Sequence, residues 1–182
     1  MSGKCVFLYL AGGVLAVGNY RIAALIHEGG HALFGWLFGG VCLWIRLGTI
    51  LWVPGGGFVR GGRRKLSSAG ECVLLCPDKK SLRWAAYGGG FANLFSALIA
   101  SVFFIWLGKR GRIFCHFGLG VILFIICSLL MAFLSLFFRW GGEKNDGVLA
   151  KRCREEEFCR RMQRDQQRDL LRLEYGLLEE MF

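Results

Sequence analysis

Charge along this chain comes in blocks. Residues 5–20 carry none, Arg21 interrupts, and from 22 to 45 the sole formally charged side chain is Glu28. Residues 84–107 are again free of charge, and the titratable groups of 113–138 are His116 and two cysteines. About 20 consecutive apolar residues suffice to cross a bilayer core of about 30 Å as a helix, so 84–107 and 113–138 each predict a transmembrane span. A first helix over 5–38 would be about 51 Å long, too long to cross upright, and must tilt, break or protrude. Gly12, Gly13 and Gly18 are its candidate break points, and Arg21 marks a hydrated cavity or an interface.

Between the first two spans the pattern changes. Gly39-Gly40 closes the first helix, and 41–60 reads as strand (Val41, Leu43, Ile45, Leu47, then 50–53) punctuated by Gly48 and by Pro54-Gly55-Gly56-Gly57. That is β-hairpin chemistry. With the basic run Arg60, Arg63, Arg64 and Lys65 behind it, 41–83 is expected to be an interfacial or soluble loop carrying a small β-hairpin. Residues 108–112 make a tight basic turn between the second and third spans, and Trp36, Trp84, Trp106 and Trp140 fall at span ends, where amphipathic rings favour the headgroup layer. From 151 to 182 the chain is rich in Arg, Glu, Gln and Leu without proline, which predicts one solvated helix. Leu170, Leu173, Leu177 and Met181 offer it a narrow stripe for self-association or for packing on the hairpin. The fold class is therefore an all-α integral membrane protein. It has about three transmembrane helices (5–38, 84–107, 113–138), an interfacial hairpin within 41–83 and a charged C-terminal soluble helix, 151–182, after a membrane core of 1–150.

Composition agrees with this pattern. Hydrophobic residues make up 54% of the 182 and charged residues only 20%, with a mean hydropathy of +0.45, outside the soluble globular range. The net charge of +10 is what Lys- and Arg-rich cytoplasmic loops supply. Nucleic acid is not an expected partner, because no basic-aromatic surface motif accompanies the charge. Counting loop charges puts the hairpin and the C-terminus in the cytoplasm or its topological equivalent. The eight cysteines are scattered, with Cys72 and Cys76 as CxxxC and Cys115 and Cys127 in an apolar run, so they read as structural filler and not as a disulfide framework. No small-residue cleavage site follows the apolar N-terminus, so a cleavable signal is not expected.

Candidate chemistry sits in the first span. His27-Glu28-Gly29-Gly30-His31 holds two of the chain's three histidines. At i and i+4 they share one helix face and can hold one zinc ion, with Glu28 placed to act as general base on water there. Polar ionisable groups in an apolar span are costly unless bound or paired, which itself marks a functional site. A third ligand is required. His116 opens the third span on the opposite side and is a poor candidate. Asp146, in Lys144-Asn145-Asp146-Gly147 beyond the far end of that span, is the better one, with Gly147 allowing a sharp turn after the carboxylate. Taken alone, Asn-Asp-Gly is also ordinary turn chemistry.

The order of these features resembles the site-2 protease family of intramembrane zinc metalloproteases, in its small branch of stand-alone catalytic cores. HEGGH is the most specific part, and the likeness spans roughly 14–150. Residues 51–60, LWVPGGGFVR, are similar to the family's glycine-containing strand near the substrate path, which implies substrate contact at Gly56, Gly57 and Phe58. Gly89-Gly90-Phe91-Ala92-Asn93 falls where the family has Gly-Pro-x-x-Asn, implying that Asn93 lies by the active site on the substrate side. Asp146-Gly147 matches its Asp-Gly, whose aspartate is a metal ligand. The sequence departs from the family with Gly90 in place of proline and Asn145 in place of leucine.

The resemblance implies one Zn²⁺ held by His27, His31 and Asp146, with Glu28 catalytic. It implies cleavage of a transmembrane or membrane-associated polypeptide, as in regulated intramembrane proteolysis, in contact with the lipid bilayer. A substrate helix hides its amides and must be held extended, for which strand addition to the hairpin edge is suited. The competing class is a catalytically inactive zinc-binding membrane homologue acting as a chaperone or assembly factor, recruiting partners through 151–182.

Overall fold

The computed structural model describes residues 3–60, 70–110, 115–137 and 145–174. Helix α1 (Gly3–Leu37) is unbroken. Gly12, Gly13 and Gly18 lie inside it with nothing within 4 Å of the position a side chain would take, so the expected break does not occur. The helix is about 52 Å long at 1.5 Å per residue. It stops where Gly39 turns to φ 84°. The Gly40 amide then donates to the Gly35 carbonyl at 2.8 Å and the Gly39 amide to Trp36 at 3.0 Å, a left-handed glycine cap that satisfies the last carbonyls and reverses the chain.

The reversed chain enters a sheet rather than a single hairpin. Strands β1 (Val41–Leu47), β2 (Ile50–Val53), β3 (Gly57–Arg60) and β4 (Glu71–Leu75) form an antiparallel sheet in the order β3-β2-β1-β4. The expected hairpin is thus a three-strand meander, and β4 comes from a stretch expected to be loop; Arg63, Arg64 and Lys65 lie outside the described residues. β1 runs back beside α1, and the Arg21 guanidinium stands 3.5 Å from where a side chain on Gly48 would begin. About 23 Å of strand covers about 24 Å of helix between Leu37 and Arg21. The sheet therefore lies at the level of the histidine motif, not beyond the end of its helix.

Helix α2 (Lys79–Lys109) starts before the charge-free stretch because Asp78 caps it, accepting from the Ser81 amide at 2.6 Å. Helix α3 (Cys115–Phe137) follows. Of the expected tight turn, Gly108 and Lys109 belong to the last turn of α2, and 111–112 lie outside the described residues. Lys79–Lys109 and Phe117–Phe137 are long and apolar enough to cross a membrane. Phe95, Leu98, Ile99 and Val102 on the first, and Ile122, Ile126 and Phe133 on the second, are exposed. The protein is mostly helical, with two candidate membrane spans and a small antiparallel sheet.

The charged tail is not one helix. It breaks at residues 153–155 into α4 (Asp146–Arg152) and α5 (Glu156–Glu174), with Cys153 buried at the joint. Phe158, Cys159 and Met162 of α5 pack with Leu74, Cys76 and Leu82, while Leu170 packs with Leu43, Trp44 and Leu51 on the other face of the sheet. Between them Gln166 accepts from the Cys76 amide at 3.0 Å. Helix α5 therefore wraps the outer edge of β4, and Leu170 is used for packing on the sheet. The Leu173 side chain, Leu177 and Met181 lie outside the described residues. Cys76, Cys153 and Cys159 are buried core residues, in keeping with a filler role, and the cysteines at 42, 72 and 127 are also free thiols.

Candidate metal centre

Close approach of α1 and α2 begins at two glycines. A side chain on Gly30 would meet the Gly88 carbonyl oxygen at 2.5 Å, and one on Gly88 would meet that of Gly30 at the same distance. Bare backbone on both sides lets the helices touch there. Gly29, one position earlier in the motif, faces open space. Both imidazoles consequently lie against α2. His31 Nδ1–H donates to the Ala85 carbonyl at 2.7 Å, which orients the ring so that Nε2, facing Asp146, is the atom it would offer a metal. Gly89 sits beneath both rings: a methyl there would be 2.6 Å from His31 Nε2 and 2.7 Å from His27 Nε2.

Asp146 arrives from the other end of the chain. It occupies the first turn of α4, whose N-cap Asn145 has a double task. Asn145 Oδ1 accepts from the Gly147 amide at 3.0 Å, and its Nδ2 donates to the Leu134 carbonyl of α3 at 2.7 Å. The cap is thereby tied to the span before it. Gly147 is helical and does not make the sharp turn expected of it; it is needed because a side chain would run into the Leu136 carbonyl of α3.

These elements bring together His27, His31 and Asp146, the three ligands expected from the sequence. Asp146 Oδ2 lies 3.0 Å from His27 Nε2 and 3.5 Å from His31 Nε2, and the two Nε2 atoms are 3.3 Å apart. Bonds of about 2.0 to 2.1 Å in a tetrahedron set neighbouring ligand atoms about 3.3 to 3.4 Å apart. The triangle therefore matches one face of a tetrahedral zinc site, and its two-nitrogen, one-carboxylate donor set suits that metal. Burial pushes the Asp146 carboxyl up, but hydrogen bonds from His27 and His31 outweigh it and hold it down at about 2. The group is thus a carboxylate at any ordinary pH.

Glu28 is buried beside its histidine neighbour. The residue leading into β4, Gly70, lies directly against it, since a side chain there would stand 2.6 Å from Glu28 Oε1. Asn93, expected on the substrate side, is fully buried and lies 3.2 Å from His27 Nδ1. It supports a ligand. As oriented, Asn93 Nδ2 donates to that nitrogen, which places the ring proton on Nε2 facing Asp146, while Asn93 Oδ1 has no partner among the described residues. A half-turn of the amide would let Oδ1 accept from Nδ1–H and free Nε2 for a metal, an exchange that breaks no other hydrogen bond of the side chain among the described residues.

Gly56, Gly57 and Phe58 are not brought to this centre. Gly56 lies in the turn before β3, the other two in β3 itself, which pairs with β2 and is separated by it from β1, the strand packed on α1. Phe58 is 78% exposed there. The His116 side chain lies outside the described residues. Sequence reasoning missed the positioning roles of Gly70, Gly89, the Ala85 carbonyl and Asn145. Their one advance signal is the density of glycine near the motif and in 88–90, which says that something approaches closely but not what. No protein-family model, curated protein or solved structure matches the chain.

Proposed function

We propose that this protein is a zinc-dependent intramembrane endopeptidase, in the manner of the site-2 proteases it resembles, acting on a membrane polypeptide. The observation that carries the proposal is the ligand triangle, with edges of 3.0 to 3.5 Å, drawn from helices at opposite ends of the chain. The apolar length of α2 and α3 supports embedding in a bilayer. The exposed Val14, Leu15 and Val17 of α1 support a third span. The basic loops then favour a cytoplasmic hairpin side and C-terminus. The centre would lie within the bilayer's depth, because Ala85 and Asn93 are about 9 and 21 Å along α2 from Lys79. A sheet alongside α1 at that depth can exist only against protein or a water-filled cavity, and such a cavity is what hydrolysis needs.

His27, His31 and Asp146 would hold the metal, with Ala85, Asn93 and Asn145 orienting them. Zinc there would supply Lewis-acid polarisation of a carbonyl and acidification of water. A Glu28 carboxylate oxygen would accept the proton of the attacking water and pass it to the leaving amine nitrogen as the peptide bond breaks. Gly70, with no side chain, leaves that carboxylate room on the sheet side, where a Cβ would stand 2.6 Å from Oε1. An unwound substrate segment would be held extended by strand addition at the outer edge of β3 at Phe58, which pairs with no strand among the described residues, as the β4 edge is covered by α5.

The test is zinc content and cleavage of a single-span reporter by purified protein. Wild type should carry one zinc and cut, Glu28→Ala should keep zinc and lose cutting, and His31→Ala should lose both. Undiminished cutting by Glu28→Ala would end the enzyme proposal.

A further inference from the structure

Away from the metal centre, a cleft of about 520 Å³ opens where the first turns of α2 meet the joint between α4 and α5. Its rim is cationic: Lys79, Lys80, Arg83 and Arg154 all line it. Lys79 reaches Glu156 at 3.7 Å. Among the described residues no carboxylate lies within ion-pair distance of Lys80, Arg83 or Arg154. Two of these cations are held against rings, Lys80 over Phe38 at 5.8 Å and Arg83 over Tyr87 at 5.9 Å, which orders them without neutralising them.

Deeper along α2 the lining turns aromatic. Trp84, Tyr87 and Phe91 continue the wall at i, i+3 and i+7, and Trp84 is backed by Phe38, stacked at 5.1 Å. From Lys79 to Phe91 the wall descends about 18 Å. Cations therefore stand at the end of a candidate span, where headgroups lie. Amphipathic Trp and Tyr follow at the interface, and Phe91 lies at the depth of the upper acyl chain. Neither a free anion nor a neutral lipid would use both halves of this surface.

We propose that this cleft is a binding site for one anionic phospholipid, its phosphate held by Lys80, Arg83 and Arg154 and its upper chain laid along Trp84, Tyr87 and Phe91. The site rests on the membrane reading above and is separate from the metal centre. Occupancy would brace the α1–α2 crossing from the cytoplasmic end and tie the α4–α5 joint to the bilayer surface.

The full chain, purified in an uncharged detergent, is titrated with dioleoyl phosphatidylglycerol, dioleoyl phosphatidylcholine or inorganic phosphate, and retained lipid is counted by native mass spectrometry. One phosphatidylglycerol should be retained, with phosphatidylcholine and phosphate failing to displace it. Lys80→Gln with Arg83→Gln should weaken retention about 30-fold, at about fivefold per charge. Lys80→Arg with Arg83→Lys should restore it, and Arg161→Gln with Arg164→Gln on α5 should leave it within about twofold. Equal retention of phosphatidylcholine, full displacement by phosphate, or equal loss in the α5 variant would each overturn the site. Zinc content and pelleting with carbonate-washed membranes are read on the same preparations. A chain that leaves the membrane overturns both the membrane reading and the cleft. A membrane-embedded, zinc-loaded chain that ignores phosphatidylglycerol overturns the cleft alone.

Discussion

Three glycine-to-alanine changes, all inside helices, should have three different outcomes. In an unobstructed helix interior the change stabilises by about 1 kcal/mol, since alanine loses less backbone entropy. Gly29 has nothing within 4 Å of the new methyl, so Gly29→Ala should show that gain and bind zinc as wild type does. At Gly30 the methyl meets backbone, the Gly88 carbonyl oxygen at 2.5 Å. That oxygen cannot rotate away, so α1 and α2 must separate, at a cost of about 1 to 3 kcal/mol against the helical gain. At Gly89 the methyl lies 2.6 and 2.7 Å from the two Nε2 atoms, inside a normal carbon–nitrogen contact by about 0.8 Å. The rings are held from behind by Ala85 and Asn93 and can yield only by spoiling the triangle. Zinc affinity should then fall at least about 100-fold, the upper end of what disturbing ligand orientation costs.

Competition with a chromogenic chelator measures that affinity, and thermal unfolding with and without zinc measures its consequence. At free zinc about 100 times the wild-type Kd, wild type gains about 2.7 kcal/mol, whereas a Gly89→Ala protein binding 100-fold more weakly gains only about 0.4 kcal/mol. Zinc affinity for Gly89→Ala within about threefold of wild type would refute the premise that the rings are locked in place.

Asn93→Leu, which removes every partner of His27 Nδ1 on that side, should weaken zinc about 10- to 100-fold, whereas Asn93→Asp, an acceptor only, should hold the metal-binding tautomer and retain affinity in the same competition assay. Asp146, held at about 2, has a folded pKa below its unfolded value, so its contribution to stability is complete above about pH 4 and is lost as pH falls toward 2. Asp146 therefore takes up no proton between about pH 7 and pH 4, and in a zinc-release titration Asp146→Asn should lower affinity at every pH in that window without changing its pH dependence. Phe58→Pro should abolish reporter cleavage by disturbing the outer sheet edge while zinc content stays at one; retained cleavage would remove β3 from the substrate path.

Local pattern was enough for the elements whose signal is periodicity or length. The i, i+4 spacing put His27 and His31 on one helix face, uninterrupted apolar runs outlined α2 and α3, and the turn chemistry at Gly48 and 54–57 marked the first strands. Asp146 was legible as a candidate ligand through the order of motifs, not through anything in its own neighbourhood. What only the tertiary structure decided depends on partners distant in sequence. Strand β4 is short and exists because β1 offers it an edge, so no local signal marked it. The tail bends at 153–155 because Cys153 and Phe158 are buried against α2 and β4. Asn93 became a support for His27 because the Gly30–Gly88 contact sets how α2 faces α1. A sequence displays which glycines lack side chains, but the role of each follows from which atom stands opposite. Gly29 faces nothing, Gly30 a backbone carbonyl, Gly70 a carboxylate and Gly89 two imidazoles, and that is a property of packing alone.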